Sequence, residues 1–196
     1  MHPLRTTTVA IALFFCTLAF ASAQTQTYTG TFSGLNENPP NNSAGTGFAS
    51  VTINLQTHMV TYQANFSGLT GMVTAAHVHA PASPGNNAGV ATQTPSFPGF
   101  PTGVMSGTYN MTFDMTQAST WNSAYMNANG GTPAGAEAAF INALNNGMAY
   151  FNIHTNVFTG GEIRANLAIP EPSTTALIGF GLAAAAVAAI RRRRRA

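Results

Sequence analysis

The stretch Ala49-Ser-Val-Thr-Ile-Asn-Leu55, followed after a short polar break by Val60-Thr-Tyr-Gln-Ala-Asn-Phe66, decides the fold class. Ala49, Val51, Ile53 and Leu55 alternate with polar neighbours, and Val60, Tyr62, Ala64 and Phe66 repeat the pattern. A period of two puts every apolar side chain of a strand on one face, so each run reads as a half-buried strand. Between them Gln56-Thr57-His58-Met59 reads as a turn, with His58 a turn residue and nothing more.

Further strands are expected at Thr27 to Leu35, Met72 to His79, Val104 to Asp114, Met148 to His154 and Glu162 to Leu167. Clusters such as Asn38-Pro-Pro-Asn-Asn42 and Pro84-Gly-Asn-Asn87 separate them. The Phe-Ser-Gly-Leu of Phe32 to Leu35 recurs at Phe66 to Leu69 as two similar strand ends. The run from Pro95 to Pro101 is a loop. Two segments read as short inserted helices, Thr116 to Asn127 and Pro133 to Asn145. The second has proline at an early position and Ala136, Phe140 and Leu144 on one face. Many short strands with turn punctuation imply a mainly β fold, an antiparallel sandwich or Greek-key barrel.

Charge divides the chain into unlike segments. Arg191, Arg192, Arg193, Arg194 and Arg195 form one block, and Arg5 lies near the start. From Gln24 to Ala168 the charged residues are Glu37, Asp114, Glu137, Glu162 and Arg164, with no lysine. Nucleic-acid binding needs clustered cations against phosphates, so that class is excluded.

Both ends read as addresses. Met1 to Arg5 is a basic start, Val9 to Phe20 an apolar run, and Ala21 and Ala23 fit the small-residue site of signal peptidase; residues 1–23 are expected to be a signal peptide. The single cysteine, Cys16, lies in this run after Phe15, a poor lipoprotein context, so the processed chain has no thiol or disulfide. At the other end Pro170-Glu171-Pro172 precedes an apolar, alanine-rich stretch and then the arginine block. The stretch is long enough to span a bilayer as a transmembrane helix, and the arginines place its end on the cytoplasmic side.

This tail, residues 169–196, resembles the PEP-CTERM sorting signal of Gram-negative bacteria. The resemblance implies recognition by exosortase near Pro170-Glu171-Pro172. It also implies tethering in the inner membrane before processing, and later association with exopolysaccharide and the cell envelope, at the surface or outside the cell.

The chemistry of the middle, residues 24–168, is concentrated in two motifs. Ala76-His77-Val78-His79 projects two imidazoles from one strand face, a natural chelate for a borderline metal such as copper or zinc. Asn152-Ile153-His154-Thr155 is followed by Gly160-Gly161-Glu162-Ile163-Arg164, and Tyr150, Asn152 and His154 share a face. His77, His79 and His154 are thus candidate metal ligands, and Asn152, Thr155, Glu162 and Arg164 a structural or ligand motif. The blander alternative has the histidines bonding to neighbouring loops and Glu162 pairing with Arg164, a contact of ~0–1 kcal/mol at a surface. Neither Glu37 nor Glu137 has a constellation that would make it an acid or base, and no catalytic set stands out.

These two motifs, with the Gly/Pro-rich loop between them, resemble the CHRD domain over about Tyr28 to Leu167. That resemblance implies an immunoglobulin-like β-sandwich or barrel and leaves the biochemical role undefined. Ala165-Asn166 stands where the family commonly has glycine. A fainter likeness is to copper/zinc superoxide dismutase, in which His77, His79 and His154 match as ligands while a bridging histidine and a zinc-loop aspartate are missing. The expectation is a non-catalytic binding or structural protein of the envelope or matrix. The alternative is a metal-binding module or superoxide-dismutase-like enzyme.

Overall fold

The structure is a computed structural model that describes residues 25–170. The expectations for Ala21, Ala23, Glu171, Pro172, the apolar tail and Arg191 to Arg195 lie outside the described residues; Pro170 is exposed at their edge. Among the described residues no helix is long and apolar enough to cross a membrane.

Among the described residues seven antiparallel strands form one curled half-barrel: β1 (Thr25–Ser33), β2 (Thr46–Asn54), β3 (Met59–Ser67), β4 (Val73–His79), β5 (Gly107–Asp114), β6 (Ala149–Thr155) and β7 (Ile163–Leu167). Their order across the sheet is β4-β6-β7-β1-β2-β3-β5, so the two expected motifs lie on adjacent strands at one end. The mainly β fold read from the alternation is present, in its barrel-like form. The hairpin at the centre has Ala49 opposite Ala64 and Val51 opposite Tyr62, keeping apolar partners on one face. Phe32-Ser-Gly-Leu35 and Phe66-Ser-Gly-Leu69 do end strands, but Leu69 is buried while Leu35 is exposed.

Burial distinguishes two kinds of strand. In β3, Val60, Tyr62, Ala64 and Phe66 are buried while Gln63, Asn65 and Ser67 are exposed, as expected of a sheet wet on one side. In β6 nearly every residue is buried, because Phe151 and Ile153 face the core while Tyr150 and Asn152 are roofed by loops. Phe97 and Phe100, from the loop at 95–101, complete the core. Phe97 lies 4.6 Å from Tyr62 and 5.4 Å from Phe151 between ring centroids, linking strands that are not sheet neighbours. Burying each such ring stabilises the fold by roughly 1.5–3 kcal/mol.

The second helix, α2 (Pro133–Asn145), has the expected bounds. Thr132 caps it by accepting from the Gly135 amide, and Ala136, Phe140 and Leu144 are buried as expected. The first is shorter than expected. A 3₁₀ turn at Ala118–Thr120 and an extended Trp121 precede α1 (Ser123–Ala128). The reason is local: the Asp114 carboxylate takes the Thr116 amide and hydroxyl, and the Trp121 indole donates to the Met115 carbonyl. These bonds hold the chain in turns that compete with helix.

Candidate functional site

The polar face of β4, β6 and β7 carries the site. His77 is opposite Asn152 and Asn152 opposite Arg164, while His79 is opposite Tyr150. His154 follows two residues beyond Asn152, on the same face. His77, His79 and Asn152 are buried and His154 half-buried.

The three histidines expected from the sequence come together. One ring nitrogen from each lies within 4.8 Å of those from the other two, and ring centroids are 5.2 to 5.8 Å apart. In every ring the other nitrogen is committed to a backbone carbonyl. His77 Nε2 donates to Pro95 O (2.7 Å), His79 Nδ1 to Ala88 O (2.9 Å) and His154 Nδ1 to Thr159 O (3.0 Å). A carbonyl only accepts, so these contacts fix the tautomer. They leave His77 Nδ1, His79 Nε2 and His154 Nε2 as bare lone pairs, buried and without partners. A metal-ligating imidazole is held in just this way, with its other N–H on a carbonyl.

Burial holds the rings neutral. It lowers His77 against the Pro95 contact, pushes His79 down to about 4, and lowers His154, with the Arg164 charge adding to the effect on the last two. Each unfilled buried acceptor costs about 1–3 kcal/mol, and the three rings that carry them gather at one place.

The carbonyls are themselves secured. Ala88 bonds through its amide to Tyr150 Oη (3.0 Å), and the Arg164 guanidinium donates to Asn86 O (3.0 Å) and Asn87 Oδ1 (2.6 Å). Arg164 lies 3.9 Å over the Tyr150 ring, which stacks on His79 at 4.8 Å and 3°. The Pro95 carbonyl is fixed by strand-like bonds of its loop to β4, including Ser96 Oγ accepting from the Ala76 amide and the Phe97 amide donating to Ala76 O.

Arg164 does not pair with Glu162, contrary to the expected pair. Its partner is Glu37, at 2.9 Å and fully buried, which also accepts from Asn152 Nδ2 (3.3 Å). Burial raises the Glu37 carboxyl even though Arg164 and Asn152 pull it down. Glu162 instead accepts from the Thr70 and Gly71 amides, Ser43 Oγ (2.6 Å) and Thr155 Oγ1 (2.7 Å). Burial pushes its carboxyl up, but these bonds outweigh burial and hold it below the usual range. Nothing local to Glu37 marks its role, because its partner is 127 positions away.

Gly161 is needed where these groups meet. Its φ is +132°, and a Cβ there would lie 2.6 to 2.8 Å from the Asn152 amide and Glu37 Oε1. His58 is the turn residue expected, with φ 55°, and its ring also meets Glu137 of α2 at 2.8 Å.

A curled antiparallel sheet that roofs a histidine-bearing polar face with its own loops defines a small β domain with a built, enclosed site. The chain belongs to the CHRD domain family, whose profile matches residues 28–167. A PEP-CTERM protein-sorting motif matches residues 168–195. Together they make this an exported protein, held at the membrane and sorted by exosortase before processing. Neither a curated protein nor a solved structure matches the chain.

Proposed function

We propose that the CHRD domain of this protein is a non-catalytic binding module that holds one transition-metal ion, copper or zinc, on His77, His79 and His154. The observation that carries this reading is the set of three neutral imidazoles, each anchored to a carbonyl, whose remaining lone pairs are buried without partners. Nitrogens within 4.8 Å of one another lie no more than about 2.8 Å from a common point. Imidazole shifts under about 1 Å bring them to the ~2.0 Å of a metal–nitrogen bond. The donors fit the group. Arg164, through Asn86 and Asn87, and Thr155, through the Phe158 amide, act as positioning residues for the loops that supply the Ala88 and Thr159 carbonyls. Asn152 bonds to Glu37, the partner of Arg164, and Glu162 holds Thr155.

After sorting, the domain is delivered to the cell surface or extracellular matrix, with exopolysaccharide as its expected setting. Enclosure of the lone pairs supports holding an ion rather than turning over a substrate, which needs an open coordination position.

The test is metal analysis of the exported chain, expressed without a polyhistidine tag, beside a His77→Ala/His79→Ala variant. One equivalent of copper or zinc in the parent, lost in the variant, is expected. A parent free of metal after exposure to both ions rules the reading out.

A further inference from the structure

We infer that the His77–His79–His154 site selects the monovalent copper ion, Cu(I), over the divalent ions Zn(II) and Cu(II). The inference rests on the metal reading above and adds which ion, and in which charge state, the site is built to hold.

The donor set carries no negative charge. Among the described residues the cluster consists of three histidines alone, with no carboxylate or thiolate. Moving an ion from water into a poorly polarisable interior has a cost that grows as the square of its charge, so a divalent ion is penalised about four times as heavily as a monovalent one. Zinc sites commonly offset this with anionic ligands or a bound water that loses its proton. This site offers neither an anionic ligand nor an exposed position for water, because its free nitrogens are buried.

The nearest fixed charge works in the same direction. Arg164 sits 3.9 Å over the Tyr150 ring, which stacks on His79, so its positive charge lies close behind the cluster and disfavours a cation there. That repulsion is twice as strong for a divalent ion. Glu37 offsets part of it, but the Glu37 carboxylate accepts from Arg164 and Asn152 and does not join the histidine cluster.

Coordination number gives a third, independent reason. Zn(II) in a closed protein site is almost always four-coordinate. A closed-shell monovalent copper ion is satisfied by three nitrogens, the number the rings supply. Each ring is held through its second nitrogen, so the site resists opening to admit a fourth ligand.

The experiment compares the affinities of the untagged exported chain for Cu(I) and Zn(II). Cu(I) is titrated without oxygen against bicinchoninate and Zn(II) against a chromophoric chelator, with X-ray absorption of the loaded protein. The expected result is one equivalent of Cu(I) with a three-nitrogen shell, held at least about a hundredfold more tightly than Zn(II). Zn(II) bound as tightly or more tightly in a four-ligand shell overturns the selectivity while leaving the metal reading standing. Neither ion bound in a manner that His154→Phe removes overturns both.

A second variant tests the charge argument separately from folding. Glu37→Gln leaves Arg164 uncompensated while keeping the shape of its partner. It is expected to weaken Zn(II) by about the square of the factor by which it weakens Cu(I). Equal losses for the two ions would contradict the electrostatic basis of the selectivity.

Discussion

Two buried polar centres lie a few residues apart on the same end of the sheet, and they are built on opposite terms. Around Glu162 every demand is met: two backbone amides and two hydroxyls converge on one carboxylate. Around His77, His79 and His154 half of each ring is satisfied and the other half is left bare. A fully satisfied network fixes structure, whereas aligned, unfilled acceptors are tolerated where something else fills them. Glu162 is therefore read as a pin for the loops, and the histidines as the place for a ligand.

The contrast is sharpest under mutation. Glu162→Ala strands the Thr70 and Gly71 amides and the Ser43 and Thr155 hydroxyls, and should destabilise the domain by about 3–5 kcal/mol in urea unfolding. A loss below about 1 kcal/mol would remove its role as the pin. Gly161→Ala comes next, at about 2–3 kcal/mol, since it combines a strained φ with a side chain forced against Asn152 and Glu37. Its unfolding midpoint should fall further than that of Gly160→Ala, where a Cβ meets open space.

Acid separates the two centres along the pH axis. His79 is neutral in the fold with its value near 4 against an ordinary 6.5, so below about 6.5 the unfolded chain binds more protons. Stability of the metal-free protein should fall as pH drops from there toward 4. Glu162, held below its ordinary 4.5, contributes stability that is complete above that value and is lost as pH falls through its lower native one. Thermal melts should thus show a histidine limb first and a carboxylate limb after it. His154→Phe should shrink the first limb and leave the second.

The same variant should cost the metal-free fold little, within about 1 kcal/mol, because it removes an unfilled acceptor along with one bond. Metal-induced stabilisation should vanish with it. If His154→Phe unfolds the domain as Glu162→Ala does, the two centres are not different in kind. The smallest effect belongs to His58→Asn: asparagine accepts the left-handed backbone, and the lost contact to Glu137 is half-exposed on the histidine side, so the melting temperature should fall slightly and less than for any variant above.

What the sequence disclosed follows the range of the interactions. The alternation at Ala49 to Phe66 is local, and the strands came out where it placed them. Pro133 and the spacing of Ala136, Phe140 and Leu144 are local too, and bounded α2 correctly. Period two also placed His77 and His79 on one face, and their meeting with His154 needed only that the two motifs pair. The Thr116 helix was overextended because the Asp114 turn competes with it.

The anchors of the site were not legible. Pro95, Ala88 and Thr159 contribute carbonyl oxygens, which every residue has, so no side-chain pattern marks them. Glu37 and Arg164 find each other only when the chain between them has folded. The sequence suggested a Glu162–Arg164 pair on nearness alone, and the loops at Ser43 and Thr70–Gly71 took the first partner away.

The most direct test is a crystal structure of the exported domain loaded with copper or zinc, read by anomalous scattering at the metal edge. The expected result is a single anomalous peak bonded to His77 Nδ1, His79 Nε2 and His154 Nε2, with the Pro95, Ala88 and Thr159 carbonyls still accepting from the opposite ring nitrogens. A water in that position without anomalous signal, or a metal bound elsewhere on the chain, would contradict it.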